Sequence, residues 1–441
     1  MKLRKSTYIS FLWSIVFCLF VTACAQPEIR RIPAPVASLA PVADTEKWTA
    51  KSKMTGEFFA TWSQLRLYDD FSKPDNVVRF EQIWEETKAA LSEIEQAVST
   101  SVETSDVARF NALAYGEEIE ISGHTAAILL AAKEGYAKTG GMFNPAAYPL
   151  VDLWGFTPRF TSAAYAPLYA YDRARGAQGL PLPEERYIGA FTGLADFDGI
   201  VLSGDAKTGY RLKKMVLPVV VDGVSYEAKI DLGGIAKGYA VDVVMELLAG
   251  NGYGYGLFSC GSSSMGLMKS ASPKSVENGT LQYEVHIRHP RSENRNDAYL
   301  SVVQKDARLS TSGDYDHSYL LDGVRYAHII NPVTGYPMNA AHAETGQRGI
   351  ATATVLGENA TVCEVLSTAL CLMEPKEAIR FVNEQLKAHS VALVLYDTDS
   401  ATFEFVTNMP PESYRLQDEA FLPASRLDGH GNIVYEGTLF E

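Results

Sequence analysis

Hydrophobic positions along the chain switch between a period near 3.6 and a period of two, without regular alternation of the two kinds of segment. From Ile235 to Ala249 apolar residues recur at helical spacing, and Gly250 supplies a natural stop. Glu81 to Val98 carries Ile83, Leu91, Ile94 and Val98 on one side with Glu and Lys opposite, which predicts an amphipathic helix. Thr125 to Lys138 predicts another, ended by Thr139-Gly140-Gly141. Asn359 suits the cap of a helix from Ala360 to Met373, and Pro375 to Lys387 follows as a further helix. Ser105 to Asn111 reads as a polar turn or short helix.

Strands are expected at Phe58–Tyr68 (with a polar interruption at Ala60-Thr61), within Phe197–Leu217, and at Leu257–Met265, Tyr283–Ile287, Thr352–Leu356, Val391–Tyr396 and Phe403–Thr407. Ser310 to Tyr315 opens a hairpin whose turn is Asp322-Gly323. Its return strand carries Tyr326 and His328 into a turn composition, Asn331-Pro332-Val333-Thr334-Gly335. Residues 157–190 lack periodicity and read as a surface insertion. The order of elements predicts an α+β fold, one large mixed α/β domain over residues 51–441.

Ahead of that domain the pattern changes. Lys2, Arg4 and Lys5 precede a nearly uncharged apolar run from Tyr8 to Val21, and Val21-Thr22-Ala23-Cys24 places small residues before a cysteine. Residues 1–23 read as a lipoprotein signal peptide, Cys24 as the lipidated N-terminus, and the Pro/Ala-rich residues 24–50 as a tether. The expectation is an exported protein, lipid-anchored to a bacterial membrane and facing the periplasm. A net charge of −14 with no basic cluster argues against a nucleic-acid partner. Cys260, Cys363 and Cys371 remain in the domain, an odd number that excludes a disulfide framework, and all read as small buried hydrophobes.

The densest candidate chemistry lies between Ile230 and Asp242. Tyr226 to Leu232 reads as an extended run ending at Asp231, and Gly233-Gly234 as a sharp turn into the helix. Such a junction aims backbone N–H groups at an anion, and Lys237 adds a mobile positive charge. The loop Gly140–Pro145, followed by Leu153-Trp154-Gly155-Phe156, reads as a pocket wall. Glu364 and Thr368 share a helix face and offer a carboxylate and a hydroxyl, hard oxygens of the kind Mg²⁺ prefers. Together these describe a magnesium-assisted site for a pyrophosphate-containing molecule.

From about Phe58 to about Met373 the chain resembles the bacterial FAD:protein FMN transferases, the ApbE-type flavin transferases. The similarity rests on Asp231-Leu232-Gly233-Gly234-Ile235-Ala236-Lys237-Gly238-Tyr239, on Thr311-Ser312-Gly313-Asp314-Tyr315, and on the stretch from His328 to Pro337. Gly141–Pro145, Leu153–Phe156 and Ser367-Thr368-Ala369 support it. The resemblance implies a single mixed fold with FAD in a cleft, and Mg²⁺-dependent transfer of FMN to a threonine of an acceptor flavoprotein, a membrane redox protein, with release of AMP. It implies that Asp231 and Lys237 contact FAD, and that Thr61, Met142, Phe143 and Asn144 line its flavin or adenine end. The Gly234 carbonyl, Glu364 and Thr368 would hold the metal. His328 would lie at the reacting pyrophosphate as general base. The chain departs from the family's usual pattern at Glu364, where Asp is usual, at the amides Asn144 and Asn331, and at Gly261-Ser262-Ser263 in place of Gly-Gly-Asp. These departures keep two alternatives open: a Mg²⁺-dependent FAD pyrophosphatase giving FMN and AMP, and a flavin-binding lipoprotein without activity.

Overall fold

The computed structural model describes residues 47–157, 182–270, 282–321, 323–339, 348–397 and 402–440. The expected leader, Cys24, most of the tether, residues 158–181 of the expected insertion and Asp322 lie outside the described residues.

The main sheet has nine strands, and their spatial order is their order in the chain. They are β1 (Thr49–Phe58), β2 (Thr61–Asp69), β3 (Gly256–Cys260), β4 (Ser264–Leu267), β5 (Ala307–Gly313), β6 (Arg348–Gly357), β7 (Ser390–Asp397), β8 (Phe403–Thr407) and β9 (Phe421–Pro423). Neighbours run antiparallel except β8 and β9. Both faces of the sheet are covered. On β7, Val391, Leu393 and Leu395 enter a larger core, while Ala392, Val394 and Tyr396 enter a smaller one. That is a strand's period of two with both sets apolar, as burial on two faces requires. In β6 a bulge between Ile350 and Thr352 shifts the phase, so Ile350 shares a core with Ala353 and Val355.

Helices α1 (Pro74–Val98), α2 (Asp106–Asn111), α3 (Gly123–Lys138), α4 (Tyr148–Leu153), α5 (Glu185–Thr192), α6 (Gly233–Gly250), α7 (Ala360–Cys371) and α8 (Pro375–Gln385) all feed the larger core. The smaller core is closed by strands Tyr283–Arg288 and Ala298–Gln304, through Val285, Ile287, Leu300 and Val302. The α+β expectation holds, as a helical layer and a small sheet on either side of the main sheet. Cys260, Cys363 and Cys371 are buried free thiols.

Several expected elements differ. Phe59 and Ala60 both have positive φ (53° and 50°) and reverse the chain between β1 and β2. The polar interruption is thus a hairpin turn, and β1 begins inside the stretch read as tether. Helix α1 starts at Pro74 rather than Glu81, with proline in the first turn, where its missing N–H costs nothing. Glu185–Thr192, which begins inside the stretch read as irregular and runs past its end, is α5. Ser310 to Gly313 lies in β5, while the hairpin itself pairs Ser318–Leu321 with Val324–Ala327 and His328 follows it.

The largest correction concerns the run into Asp231. Only Val224–Tyr226 pairs as a strand, and residues 227–232 join no ladder. Instead the Ile230 N–H donates to Asn111 Oδ1 (2.8 Å), Asn111 Nδ2 donates to the Ile230 carbonyl (2.9 Å), and the Asp231 N–H donates to the Pro145 carbonyl (3.0 Å). A side chain and a loop satisfy the backbone that a strand would have satisfied. Gly233 and Gly234 do not take left-handed φ either; they open α6.

Candidate functional site

The site is built where α6 meets α7, and Gly238 lets them meet. A Cβ at Gly238 would stand 2.5 Å from the Ala360 carbonyl oxygen and 2.8 Å from Glu364 Oε2. One turn on, Asp242 accepts from the N–H groups of Ala360 (2.9 Å) and Thr361 (2.8 Å), and Asn359 caps Val362 N–H at 2.8 Å. Side chains thus satisfy the first amides of α7 and fix that helix end on α6.

This geometry delivers Glu364 to Lys237. Lys237 Nζ and Glu364 Oε1 are 2.6 Å apart, with side-chain exposures of 24% and 4%. The other carboxylate oxygen accepts the Gly238 N–H. In an α-helix that amide serves the carbonyl four residues back, here Gly234, so Glu364 competes for it and leaves the exposed Gly234 carbonyl with spare acceptor capacity. Burial opposes the charge on Lys237, but Glu364, with Asp231 beyond it, holds the ammonium above its ordinary value. Burial pushes the Asp231 carboxyl up, against the Gly233 N–H at 2.8 Å and the charge of Lys237.

The other expected residues gather around this pair to different degrees. Phe143 is buried, and a Cβ on Gly234 would touch its ring edge at 3.7 Å. Met142 packs half-buried on the larger core beside it. Asn144 is committed at both ends of its amide: Oδ1 accepts from Ala146 N–H (2.8 Å) and Nδ2 donates to the Ala195 carbonyl (2.7 Å). Thr61 reaches the site through the β3–β4 turn, where a Cβ on Gly261 (φ 65°) would meet its Oγ1 at 3.3 Å. Cys260, next in that turn, feels both Lys237 and Glu364.

His328 sits edge-on to His317, ring centroids 5.4 Å apart, and its Nδ1 is buried with no hydrogen-bond partner. Burial, then the neighbouring His317 and Lys237, push its ordinary value down to about 4. The turn that follows is closed by Asn331, whose Oδ1 accepts from Val333 (2.9 Å) and Thr334 (3.1 Å) N–H. Trp154 Nε1 donates to the Gly335 carbonyl at 2.7 Å, which ties the aromatic stretch after α4 to this turn.

Thr368 lies one turn after Glu364 on α7, its Oγ1 3.2 Å from Ser312 Oγ on β5. Among the described residues, no group of three His, Cys, Asp or Glu side chains could hold a metal ion. The Glu364 carboxylate, Thr368 hydroxyl and Gly234 carbonyl are all hard oxygens, and the carboxylate already clasps a cation, the Lys237 ammonium. That donor set fits Mg²⁺ with substrate oxygens and water completing it. Sequence reasoning missed the parts played by Gly238, Asp242, His317, Ser312 and Ser367. Gly238 and Ser312 stood inside conspicuous motifs, but nothing local announces which distant group each one meets.

The family model for the ApbE family matches residues 59–393. The FAD:protein FMN transferase of Treponema pallidum (strain Nichols) is 27% identical over 301 residues, covering 68% of this chain and 74% of that protein. The FAD:protein FMN transferase of Escherichia coli (strain K12) is 25% identical over 335 residues, covering 76% and 81%. Among solved structures, the apo flavinyl transferase ApbE of Pseudomonas stutzeri superposes with a TM-score of 0.61 at 23% identity, over 83% of this chain and 96% of that one. The flavin transferase ApbE of Vibrio cholerae gives 0.58 at 22% identity, over 80% and 98%. At such identities the two structures speak to the fold alone.

Proposed function

The chain belongs to the ApbE family, and from that premise we propose that it is a FAD:protein FMN transferase, moving FMN from FAD to a threonine hydroxyl of an acceptor protein with release of AMP. The observation that carries this reading is the Lys237–Glu364 pair at the mouth of α6, a cation and a carboxylate set beside the exposed glycines that open a helix. At the start of α6 the Gly233 N–H goes to Asp231 and those of Ile235 and Ala236 to the Leu232 carbonyl, so the Gly234 N–H, the positive end of the helix and the Lys237 ammonium bind and orient a pyrophosphate. Glu364, Thr368 and the Gly234 carbonyl would hold Mg²⁺, which when bound supplies positive charge against the phosphate oxygens. Phe143 and Met142 give the flavin an apolar wall, and Asn144 acts by holding their loop in place.

At neutral pH His328 is an uncharged imidazole, because its ordinary value is pushed down to about 4. Its unpartnered Nδ1 is free to take the proton of the incoming hydroxyl. Attack at the phosphorus nearest riboflavin breaks the bond to the AMP oxygen, and the charge that gathers on phosphate oxygens meets Lys237 and the positive end of α6. The leader in residues 1–23 and Cys24 support an acceptor at the outer face of a bacterial membrane, a membrane redox protein reached from a lipid anchor.

The test is chromatographic. Purified protein with FAD, Mg²⁺ and an acceptor yields AMP and flavinylated acceptor, and Lys237→Ala abolishes both. Free FMN released without any acceptor would replace this reading with a pyrophosphatase. FAD that is bound but intact after long incubation would leave a flavin-binding protein.

A further inference from the structure

Behind Thr368 runs a line of hydroxyls, half-buried at Ser312 and fully buried beyond it, that the proposed reaction does not by itself require. Ser312 Oγ lies 3.2 Å from Thr368 Oγ1 and 2.8 Å from Ser367 Oγ, and Ser367 Oγ donates to the Glu364 carbonyl at 3.1 Å. A side branch continues from Ser367 to Ser310 at 3.5 Å and from Ser310 to Ser264 at 3.3 Å. Ser367, Ser310 and Ser264 are all but fully buried. Thr352 Oγ1 donates to the Ser312 carbonyl at 2.8 Å, which fixes the end of β5 carrying the line.

The end of the line sets its direction. A serine or threonine hydroxyl has one proton to donate and two lone pairs to accept with, whereas a carbonyl only accepts. Ser367 has three oxygens in reach, Ser312 Oγ at 2.8 Å, the Glu364 carbonyl at 3.1 Å and Ser310 Oγ at 3.5 Å. Only the carbonyl has no proton of its own to offer, so the arrangement that serves every oxygen spends the Ser367 proton on that carbonyl. Ser367 can then only accept from Ser312. Ser312, having donated to Ser367, can only accept from Thr368. A helical threonine ordinarily turns its hydroxyl back onto the carbonyl four residues earlier. For Thr368 that carbonyl is Glu364's, and Ser367 already occupies it. Among the described residues, Ser312 is the only partner of the Thr368 hydroxyl.

We propose that Ser312 and Ser367 form a proton-ordered relay that points the O–H of Thr368 into the protein and its lone pairs outward, presetting Thr368 as a cation ligand. Ser312 is then a positioning residue that acts through Thr368. The proposal rests on the reading of Glu364 and Thr368 as metal ligands. Outer partners of this kind typically govern metal affinity by roughly 10- to 100-fold.

The probe is Mn²⁺, titrated into the purified protein with FAD present and no acceptor, with free Mn²⁺ read by electron paramagnetic resonance. FAD affinity without metal is measured in parallel by flavin fluorescence. Ser312→Ala weakens Mn²⁺ binding about tenfold or more and leaves metal-free FAD affinity within about twofold. Ser367→Ala weakens it in the same direction, because Ser312 loses its acceptor and the Glu364 carbonyl becomes available to Thr368. The double variant is no weaker than Ser312→Ala, since a broken line cannot be broken twice. Thr311→Val, which removes a neighbouring hydroxyl pair with Thr354 on the same strands, leaves Mn²⁺ binding unchanged. Mn²⁺ binding by the unmodified protein but unchanged in Ser312→Ala overturns the relay alone, as do losses that simply add. No Mn²⁺ binding by the unmodified protein overturns the metal site and the relay with it.

Discussion

Replacing Glu364 by glutamine isolates the charge at the centre of the site. The amide oxygen still accepts the Gly238 N–H, and the volume hardly changes, so only the anion facing Lys237 is lost. Removing one partner of a buried ion pair typically costs about 3–5 kcal/mol. Lys237 keeps Asp231 nearby and the Gly233 carbonyl at 3.2 Å, which sets the expectation at the lower end, about 3 kcal/mol. With an unfolding entropy of roughly 2.1 cal/mol/K per residue, a domain of roughly 390 residues loses about 4 °C in Tm for that cost.

The pH dependence adds a second signature. In the unmodified protein Lys237 is held above its ordinary 10.5, so its contribution is complete below that pH and lost only as pH rises through the higher folded value. In Glu364→Gln burial prevails and the folded value falls below 10.5. Between the two values the unfolded chain binds more protons, so the variant gains stability as pH rises toward 10 while the parent does not. Thermal melts by circular dichroism at pH 7, 8.5 and 10 read both effects. A variant within about 1 °C of the parent at every pH would refute a buried, partnered Lys237.

Gly238→Ala forces a methyl against the Ala360 carbonyl and Glu364. It costs about 1–3 kcal/mol and weakens Mg²⁺ and FAD binding together; isothermal titration showing either one unaffected would argue against the α6–α7 contact as the site's frame. Asn144→Asp sets a carboxylate against the Ala195 carbonyl and lowers stability by about 1–3 kcal/mol, whereas Asn331→Asp keeps its turn-closing acceptor and stays within about 0.5 kcal/mol. Urea midpoints measure both. The depressed value of His328 means that its stability contribution is present above pH 6.5 and is lost as pH falls toward about 4. The limiting slope is about 1.4 kcal/mol per pH unit, and His328→Gln removes that component of the acid melt.

The elements with a clean period were readable in advance: α6, and α7 with its Asn359 cap, follow directly from apolar spacing and a capping residue. Strand β1 was not, because along Thr49–Phe58, at a sheet edge, the half-buried positions hold Lys51 and Lys53 where a strand's inward face would show apolar residues. Ala298–Gln304 escaped for the opposite reason, being buried on both faces and so without alternation. The run from Glu227 to Leu232 imitates a strand in sequence, yet its partners are Asn111 and Pro145, which no local pattern reveals. The same limit governs the site. Residue types at Asp231, Lys237, Glu364, Thr368 and His328 were legible from motif chemistry. The clasp of Glu364 on Gly238, the committed amide of Asn144 and the hydroxyl line behind Thr368 are long-range contacts that only the folded chain displays.

Intact-mass analysis of an acceptor protein after incubation with this chain, FAD and Mg²⁺ tests the central claim most directly. The expected result is an acceptor heavier by one FMN moiety, AMP formed in equal amount, and neither product when the acceptor's threonine is replaced by alanine. An acceptor of unchanged mass while FAD is converted to free FMN and AMP would contradict it.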